Sequence, residues 1–421
     1  MNNSKLKESN IKWLGKIPDN WKTIKFNALY DLRNEKVSDK DFPPLSVTKM
    51  GIVPQLSNAA KTNNGDNRKL VEIGDFAINS RSDRRGSCGI SKYEGSVSLI
   101  NTVLKPINRE MNPRYYGWLF KTVEFADEFY KWGHGIVDDL WTTNWQDMKN
   151  ITLVCPSKTE QNKIADFLDK KVSQIDDISK KIQQEITDLE EYRKSIITKA
   201  VTKGLNPNVP MKDSGIPWIG KIPQNWKIIK GKYLFRLLSK PVKKDDQVIT
   251  CFRDGQVTLR VKRRTTGFTM SDQEIGYQGI DKGDLVVHGM DGFAGAIGIS
   301  DSRGKGSPVL NVLDSNQDKK YMMYCLRATA QLGVFQALAK GIRVRSADTR
   351  WSTLANLKYA IPPQSEQANV VNYLSNNSYK LNAIIQAKKD LVEKLNQYKQ
   401  SIIYEYVTGK KQVPTEEGAV E

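Results

Sequence analysis

Arginine and lysine match guanine, asparagine and glutamine match adenine, and any cation matches a phosphate. Residues of these types gather in a few short runs of this 421-residue chain. The first run holds Lys61, Asn63, Asn64, Asn67, Arg68 and Lys69, and the next holds Asn79, Arg81, Arg84 and Arg85. Thr142, Thr143 and Asn144 form a third. Farther along come Arg253, Gln256, Arg260, Lys262, Arg263 and Arg264, then Arg343, Arg345 and Arg350. The chemistry open to them is recognition by hydrogen bonds to base edges and ion pairs with phosphates. For any one of them the alternative is a charge that only faces water, and clustering favours the runs over single residues. Ser80-Arg81-Ser82-Asp83-Arg84-Arg85-Gly86 follows an apolar strand and has little apolar content, so an exposed loop is expected there. Gly341-Ile342-Arg343-Val344-Arg345 alternates as a strand does, which singles out Arg343 and Arg345.

Groups suited to covalent chemistry are scarce. His134 and His288 are the only histidines, which leaves little room for acid–base or nucleophile schemes built on imidazole. Cys88, Cys155, Cys251 and Cys325 are scattered without CxxC spacing, so they read as reduced, buried thiols and not as metal ligands. The run from Gly292 to Gly298, GFAGAIG, is glycine-rich but lacks the G-x-G-x-x-G spacing and the helix that should follow. Gly298 stands one residue too far from Gly304-Lys305 for a phosphate loop, and Gly306 sits where a Ser or Thr is needed. Asp41-Phe42-Pro43-Pro44 resembles the catalytic tetrapeptide of amino-methyltransferases, but its Phe precedes the prolines and no aromatic follows them. No catalytic residue, metal site or resident cofactor is expected.

The elements that must position the basic runs are more regular. Between 158 and 204 no Pro and no internal Gly interrupts the chain. Ile164, Leu168, Val172, Ile175, Ile178, Ile182, Ile186, Leu189, Tyr192 and Ile196 recur at a mean step of about 3.6 residues, the repeat of a helix packed along one stripe. Thr159 is the expected N-cap, with Glu160 just inside. Such a helix would be about 65 Å long, which suits a spacer or a coiled-coil arm better than a compact domain. The stripe returns 206 residues later as Val370, Leu374, Ser378, Leu381, Ile384, Lys388, Val392, Leu395, Tyr398 and Ile402, with only Ser378 and Lys388 polar. Two matching stripes point to helices packed on each other. The alternative is that each covers its own domain.

The duplication runs through the chain. Trp13, Gly15, Lys16, Ile17, Pro18, Asn20 and Trp21 recur as Trp218, Gly220, Lys221, Ile222, Pro223, Asn225 and Trp226. These segments read as packing anchors, with an aromatic platform for stacked bases as the alternative. Gly74-Asp75-Phe76 is a turn entering a strand, copied as Gly283-Asp284-Leu285; Trp145 returns as Trp351 and Pro156 as Pro362. The copies diverge most at 37–70 against 242–279, as two different recognition surfaces would. The formal net charge of +18 and pI near 9.5 favour an anionic partner, nucleic acid before membrane surface. No apolar run is long enough to span a bilayer and the first residues carry no secretory pattern, so a cytoplasmic protein is expected.

Taken together the WLGKIPDNW and WIGKIPQNW openings, the linker GLNPNVPMKDSG, the P-x-x-x-E-Q entries at Pro156-Glu160-Gln161 and Pro362-Glu366-Gln367, and the helix ends YRKSIITKAVTKG and YKQSIIYEYVTGK resemble the specificity subunits of type I restriction-modification systems. The resemblance covers nearly the whole chain, and the ordered duplicate set carries it, not any single motif. It implies an α+β fold in which two pseudo-repeated α/β target-recognition domains are joined by two long antiparallel helices forming a coiled coil. The domains would be 1–156 and 206–362, the latter opened by a linker at 206–217, with spacer helices at 157–205 and 363–410 and a tail at 411–421. It also implies a subunit without catalysis. Each domain would read one half of a split double-stranded DNA site, and the helices would set the spacer. The partners implied are two methylation subunits that use S-adenosylmethionine and restriction subunits that use ATP and magnesium. Two other readings stand beside it, a stand-alone DNA-modifying enzyme and a coiled-coil adaptor whose globular ends bind protein.

Overall fold

The computed structural model describes residues 5–56, 65–81, 84–136, 141–263, 274–338 and 349–414. The chain forms two compact units, one of Met1–Ile182 with Asp390–Glu421 and one of Gln183–Lys389. In chain order the helices are α1 (Pro113–Leu119), α2 (Val123–Lys131), α3 (Trp145–Met148), α4 (Lys158–Lys203), α5 (Lys319–Gln331), α6 (Val334–Ala337), α7 (Trp351–Asn356) and α8 (Gln364–Val407). None among the described residues is long and apolar enough to cross a membrane.

In the first unit a four-stranded antiparallel sheet runs in the order Cys88–Ile90, Phe76–Asn79, Asn101–Pro106, Tyr30–Leu32. The second unit repeats that order as Ile297–Ile299, Leu285–His288, Leu310–Ser315, Phe235–Leu238. Both are mixed helix-and-strand folds with the sheet packed on short helices. In the first, Phe26 stacks on Phe120 at 5.1 Å between ring centroids, and Phe76 and Phe125 close the same cluster. Trp13 and Trp21 are buried in that core, Trp226 is fully buried in the second unit and Trp218 is half-buried against that unit's core, so these segments anchor the fold.

Each half of α4 pairs with a half of α8, and early α4 meets late α8. In the first unit Ile164, Leu168, Val172 and Ile175 share a core with Ile402, Ile403 and Val407, and Lys399 Nζ lies 2.6 Å from Asp176. In the second unit Ile196, Ile197 and Val201 meet Val370, Leu374 and Leu381, and Arg193 Nη1 donates to Asn382 at 2.7 Å. The pairing is therefore antiparallel within each unit. The stripe is not wholly buried: Ile178, Tyr192, Ile384 and Tyr398 are about half exposed. Ile178 and Tyr192 each follow two successive three-residue steps, and each such step falls about 60° short of a full turn. They swing to the edge of the seam, and their copies at 384 and 398 do the same.

The start of α4 also departs from expectation. Its cap is Ser157, not Thr159: Ser157 Oγ accepts from the Glu160 amide at 3.3 Å, and the Glu160 carboxylate accepts from the Ser157 amide at 3.3 Å. This is a capping box with the glutamate three residues inside. The adjacent glutamines explain the P-x-x-x-E-Q entries. Gln161 is buried, donates to the Pro156 carbonyl at 2.9 Å and accepts from the Asn112 amide at 2.7 Å. Gln367 repeats this with Pro362 at 3.0 Å and Asp318 at 3.1 Å. Each glutamine ties the first turn of a long helix to a helix of its own domain.

Charge networks support the sheets. In the second unit Lys240 and Arg303 bracket Asp281 at 2.7 and 2.6 Å and hold its carboxyl down at about 2. A carboxyl held below its usual value of 3.8 stabilises the fold above that pH, and the contribution is lost as pH falls toward 2. The urea midpoint should therefore drop through that window. Asp281→Asn should start lower at neutral pH and fall less steeply there, and equal slopes for the two proteins would discount the network.

Candidate nucleic-acid interface

The sheet of the first unit places its basic run at a turn. Strand Phe76–Asn79 leaves the core, the chain passes through 80–87, and Cys88–Ile90 returns. Two runs that lie apart in sequence meet here. Arg81 bridges Thr142, and the Thr143 amide donates to the Ser80 carbonyl at 3.0 Å. Thr143 is fully buried with its hydroxyl on the Phe129 carbonyl at 3.0 Å, which fastens the second loop to α2. Arg81, Arg84 and Arg85 are exposed. Arg85 pairs with Asp127 and lies 6.0 Å from the centre of the Tyr130 ring.

Three of the expected readers are instead engaged by the fold. Arg68 begins the strand Arg68–Val71, whose pairing with Gly95–Val97 turns the guanidinium inward. It donates to Ser96 Oγ at 2.8 Å and to the Ser96 carbonyl at 3.0 Å, and burial lowers its pKa. Lys69 donates to the Asn101 carbonyl at 2.7 Å and is likewise pushed down by burial. Asn144 caps α3: its side-chain oxygen accepts from the amides of Gln146 and Asp147 at 2.7 and 3.2 Å. That geometry uses the acceptor that adenine readout would need. Lys61, Asn63 and Asn64 lie outside the described residues.

In the second unit the candidates form a cluster around one hairpin, Ile249–Cys251 with Val257–Leu259. Arg263 pairs with Asp254 at 2.8 Å, donates to Gln256 at 3.1 Å and covers the Phe252 ring at 4.1 Å. Arg253 reaches Asp291 at 2.9 Å, which joins the cluster to the turn after strand Leu285–His288. Arg260 Nε lies 3.4 Å from Thr250 Oγ1, and Lys262 donates to Ser302 at 2.7 Å. Arg350 is exposed just before α7, at the copy position of Asn144. Thr349, the copy of Thr143, is fully buried with its hydroxyl on the His288 carbonyl at 2.7 Å. Both units therefore set a polar pre-helix loop beside a hairpin turn by the same buried threonine. Arg264, Arg343 and Arg345 lie outside the described residues.

The groups that could do other chemistry are placed as structure. Burial pushes the Cys88, Cys251 and Cys325 thiols up to about 12, far from the thiolate a nucleophile needs. His288 Nδ1 accepts from the amides of Met290 and Asp291, and burial lowers its pKa. Among the described residues no three His, Cys, Asp or Glu are grouped to hold a metal ion.

Comparison with known proteins adds to this geometry. Residues 18–188 match the family of the type I restriction modification DNA specificity domain. A putative type I restriction enzyme MjaX specificity subunit from Methanocaldococcus jannaschii is 21% identical, over 97% of this chain and 98% of its own length. The fold is similar to a chain solved in work on complex assembly and conformational transition of the type I R-M system. The TM-score is 0.68 at 12% identity, covering 94% of this chain and 100% of that one, a likeness of fold alone. Family model over residues 18–188, relative over nearly the whole chain and fold agree with the duplicated motifs in their likeness to the type I restriction-modification specificity subunits.

Proposed function

We propose that the chain is the non-catalytic, DNA-reading subunit of a type I restriction-modification complex, and that each unit reads one half of an asymmetric bipartite duplex site. One observation carries this. The two units share sheet order and threonine-fastened loops, yet present different polar sets there, Arg81, Arg84 and Arg85 in one and Arg253, Arg263 and Arg350 in the other. Equal frames with unequal surfaces suit two unlike half-sites. The domains run over 1–156 and 206–362, and α4 and α8 act as spacers between the readings. Methyl transfer with S-adenosylmethionine and cleavage driven by ATP and magnesium belong to the methylation and restriction subunits.

Arg81→Ala and Arg350→Ala test the readout. A base reader should cost about 1–3 kcal/mol on the specific duplex alone. A phosphate contact should weaken all duplexes alike and flatten the salt slope by about one unit. If neither variant changes either quantity, these arginines only face water. Arg343→Ala and Arg345→Ala carry the same expectation from the sequence.

The half-exposed Ile178 and Tyr192 and their copies Ile384 and Tyr398 give each unit one isoleucine and one tyrosine on its helix pair. Duplicate apolar positions support two docking surfaces, hence two methylation subunits per chain. A native mass of the assembled complex showing one per chain would exclude this stoichiometry.

A further inference from the structure

In the second unit a cleft of about 350 Å³ opens between the sheet domain and the helix pair. Its walls carry Arg193 and Lys194 from α4, Arg253, Arg327 from α5 and Asn382 from α8, and the glycine-rich turn through Gly295 forms its floor. Among the described residues the one carboxylate on the wall is Asp254, already paired with Arg263 at 2.8 Å, and Arg253 is paired with Asp291 at 2.9 Å. Arg193, Lys194 and Arg327 have no carboxylate partner among the described residues.

Arg327 is the unusual member. Its guanidinium donates only to neutral carbonyls, Ile297 at 2.8 Å and Gly255 at 2.9 Å. Gly255 has a φ of +87, and a Cβ there would collide with that guanidinium, so the glycine makes the approach possible. Burial lowers the pKa of Arg327; the charge of Arg193 acts in the same direction, while Tyr324, Cys251 and Asp254, itself paired with Arg263, act against it. A desolvated cation beside further cations is costly unless an anion joins it. The glycine-rich turn itself offers little: the Ala294, Gly295 and Ala296 amides already donate to Asp291 and Gly292. Side chains, and not a phosphate loop, supply the charge.

The first unit shows what the cleft becomes without this bias. At the same offset of 206 it has Lys121 for Arg327, Val172 for Ser378 and Asp176 for Asn382. That cleft is wider, about 700 Å³, and Asp169, Asp176 and Asp177 balance its Lys92, Arg114 and Lys121. The second cleft lacks that acidic wall; of the first cleft's cations only Lys121 has a cationic copy on it, Arg327, and Arg193, Lys194 and Arg253 are its own. We propose that the cleft of the second unit is a binding site for phosphate groups, sized for a di- or triphosphate. The forked donors of Arg193 and Arg327 would meet the phosphate oxygens, with Asn382 and Ser378 as neutral partners.

The phosphate can come from a free polyphosphate or from the DNA backbone, and one experiment separates them. Calorimetric titration of the full chain with pyrophosphate at low salt should show one saturable site. Asn382→Asp restores the carboxylate that the first unit carries and should weaken that site about tenfold or more, as should Arg327→Met. Asn382 is exposed on α8, so its variant should keep the wild-type thermal midpoint even where Arg327→Met loses it. The titration is then repeated with saturating non-specific duplex. If the backbone is the source, duplex displaces pyrophosphate and Asn382→Asp weakens duplex binding with a flatter salt slope. If a free polyphosphate is the source, both bind together and Asn382→Asp leaves duplex affinity unchanged. Either pattern supports a phosphate site. No saturable pyrophosphate binding, or equal affinity in wild type and folded Asn382→Asp, overturns it.

Discussion

Matched four-residue insertions, one between Ile182 and Gln183 and one between Lys389 and Asp390, should lengthen the unread spacer of the DNA target by about two base pairs. Both half-sites should keep their bases. The reason lies in where the pairing contacts fall. Asp176 with Lys399 belongs to the first unit, and Glu185 with Lys388 and Arg193 with Asn382 belong to the second. Inserting at both boundaries leaves every such contact within a unit intact. Inserting in α4 alone would force α8 to slip or bulge, because one helix would outgrow its partner.

Four residues add about 6 Å of helix rise, close to two base pairs at about 3.4 Å each. They also overshoot one turn by about 40°, which the DNA must take up as twist. Polar helix formers such as Glu-Ala-Ala-Lys suit the insert, since Ile182 is buried and Gln183 is exposed. Methylome sequencing of the assembled complex reads the outcome directly. An active complex that methylates at the old spacing, or at new half-site bases, would sink the reading of the helices as a ruler.

The long helices were legible because burial along a stripe imposes a repeat that composition cannot hide. The edges of that stripe were not, since Ile178 and Tyr192 carry the right residue type and fail only through accumulated angle. Ser157 was readable in principle from Ser157-Lys158-Thr159-Glu160, where the serine stands three residues before the glutamate and Thr159 does not. Arg68 and Lys69 misled for a different reason. A basic pair in a polar stretch looks like loop, and only the pairing with the distant Gly95–Val97 turns it inward. The meeting of Arg81 with Thr142 is another tertiary fact with no local trace. Asp75 and Asp284 did leave a signal, a Gly-Asp pair copied before each central strand, though its charge partners Arg33 and Lys240 lie some forty residues upstream, just past the ends of other strands.

Asp75→Ala should cost the first unit about 3 kcal/mol, the lower end of what breaking a buried ion pair does. Asp75 is 1% exposed and Arg33 8%. Their two contacts, Nε to Oδ2 at 2.6 Å and Nη2 to Oδ1 at 3.2 Å, form a forked pair, and Oδ2 also accepts from the Glu72 amide at 2.9 Å. Burial pushes the Asp75 carboxyl up, while Arg33 and the Glu72 amide pull it back down. Alanine leaves a buried guanidinium and an unpaired amide at the turn into the central strand Phe76–Asn79. The loss stays near the lower end because Arg33 keeps Glu72 at 2.5 Å and Glu35 at 3.4 Å, both half exposed. The second unit supplies the control. Asp284 makes the same turn contact, accepting from the Asp281 amide at 2.8 Å, but its cation is Lys240, a quarter exposed and also held by Asp281 at 2.7 Å. Asp284→Ala should therefore cost clearly less. Two units need not unfold together, so hydrogen exchange resolved by peptide is the suitable measurement, with protection compared at 76–79 and 285–288. Asp75→Ala should lower protection in the first set and spare the second. A loss under about 1 kcal/mol would show that Arg33 turns to Glu72 without penalty and that the buried pair is not what holds the turn.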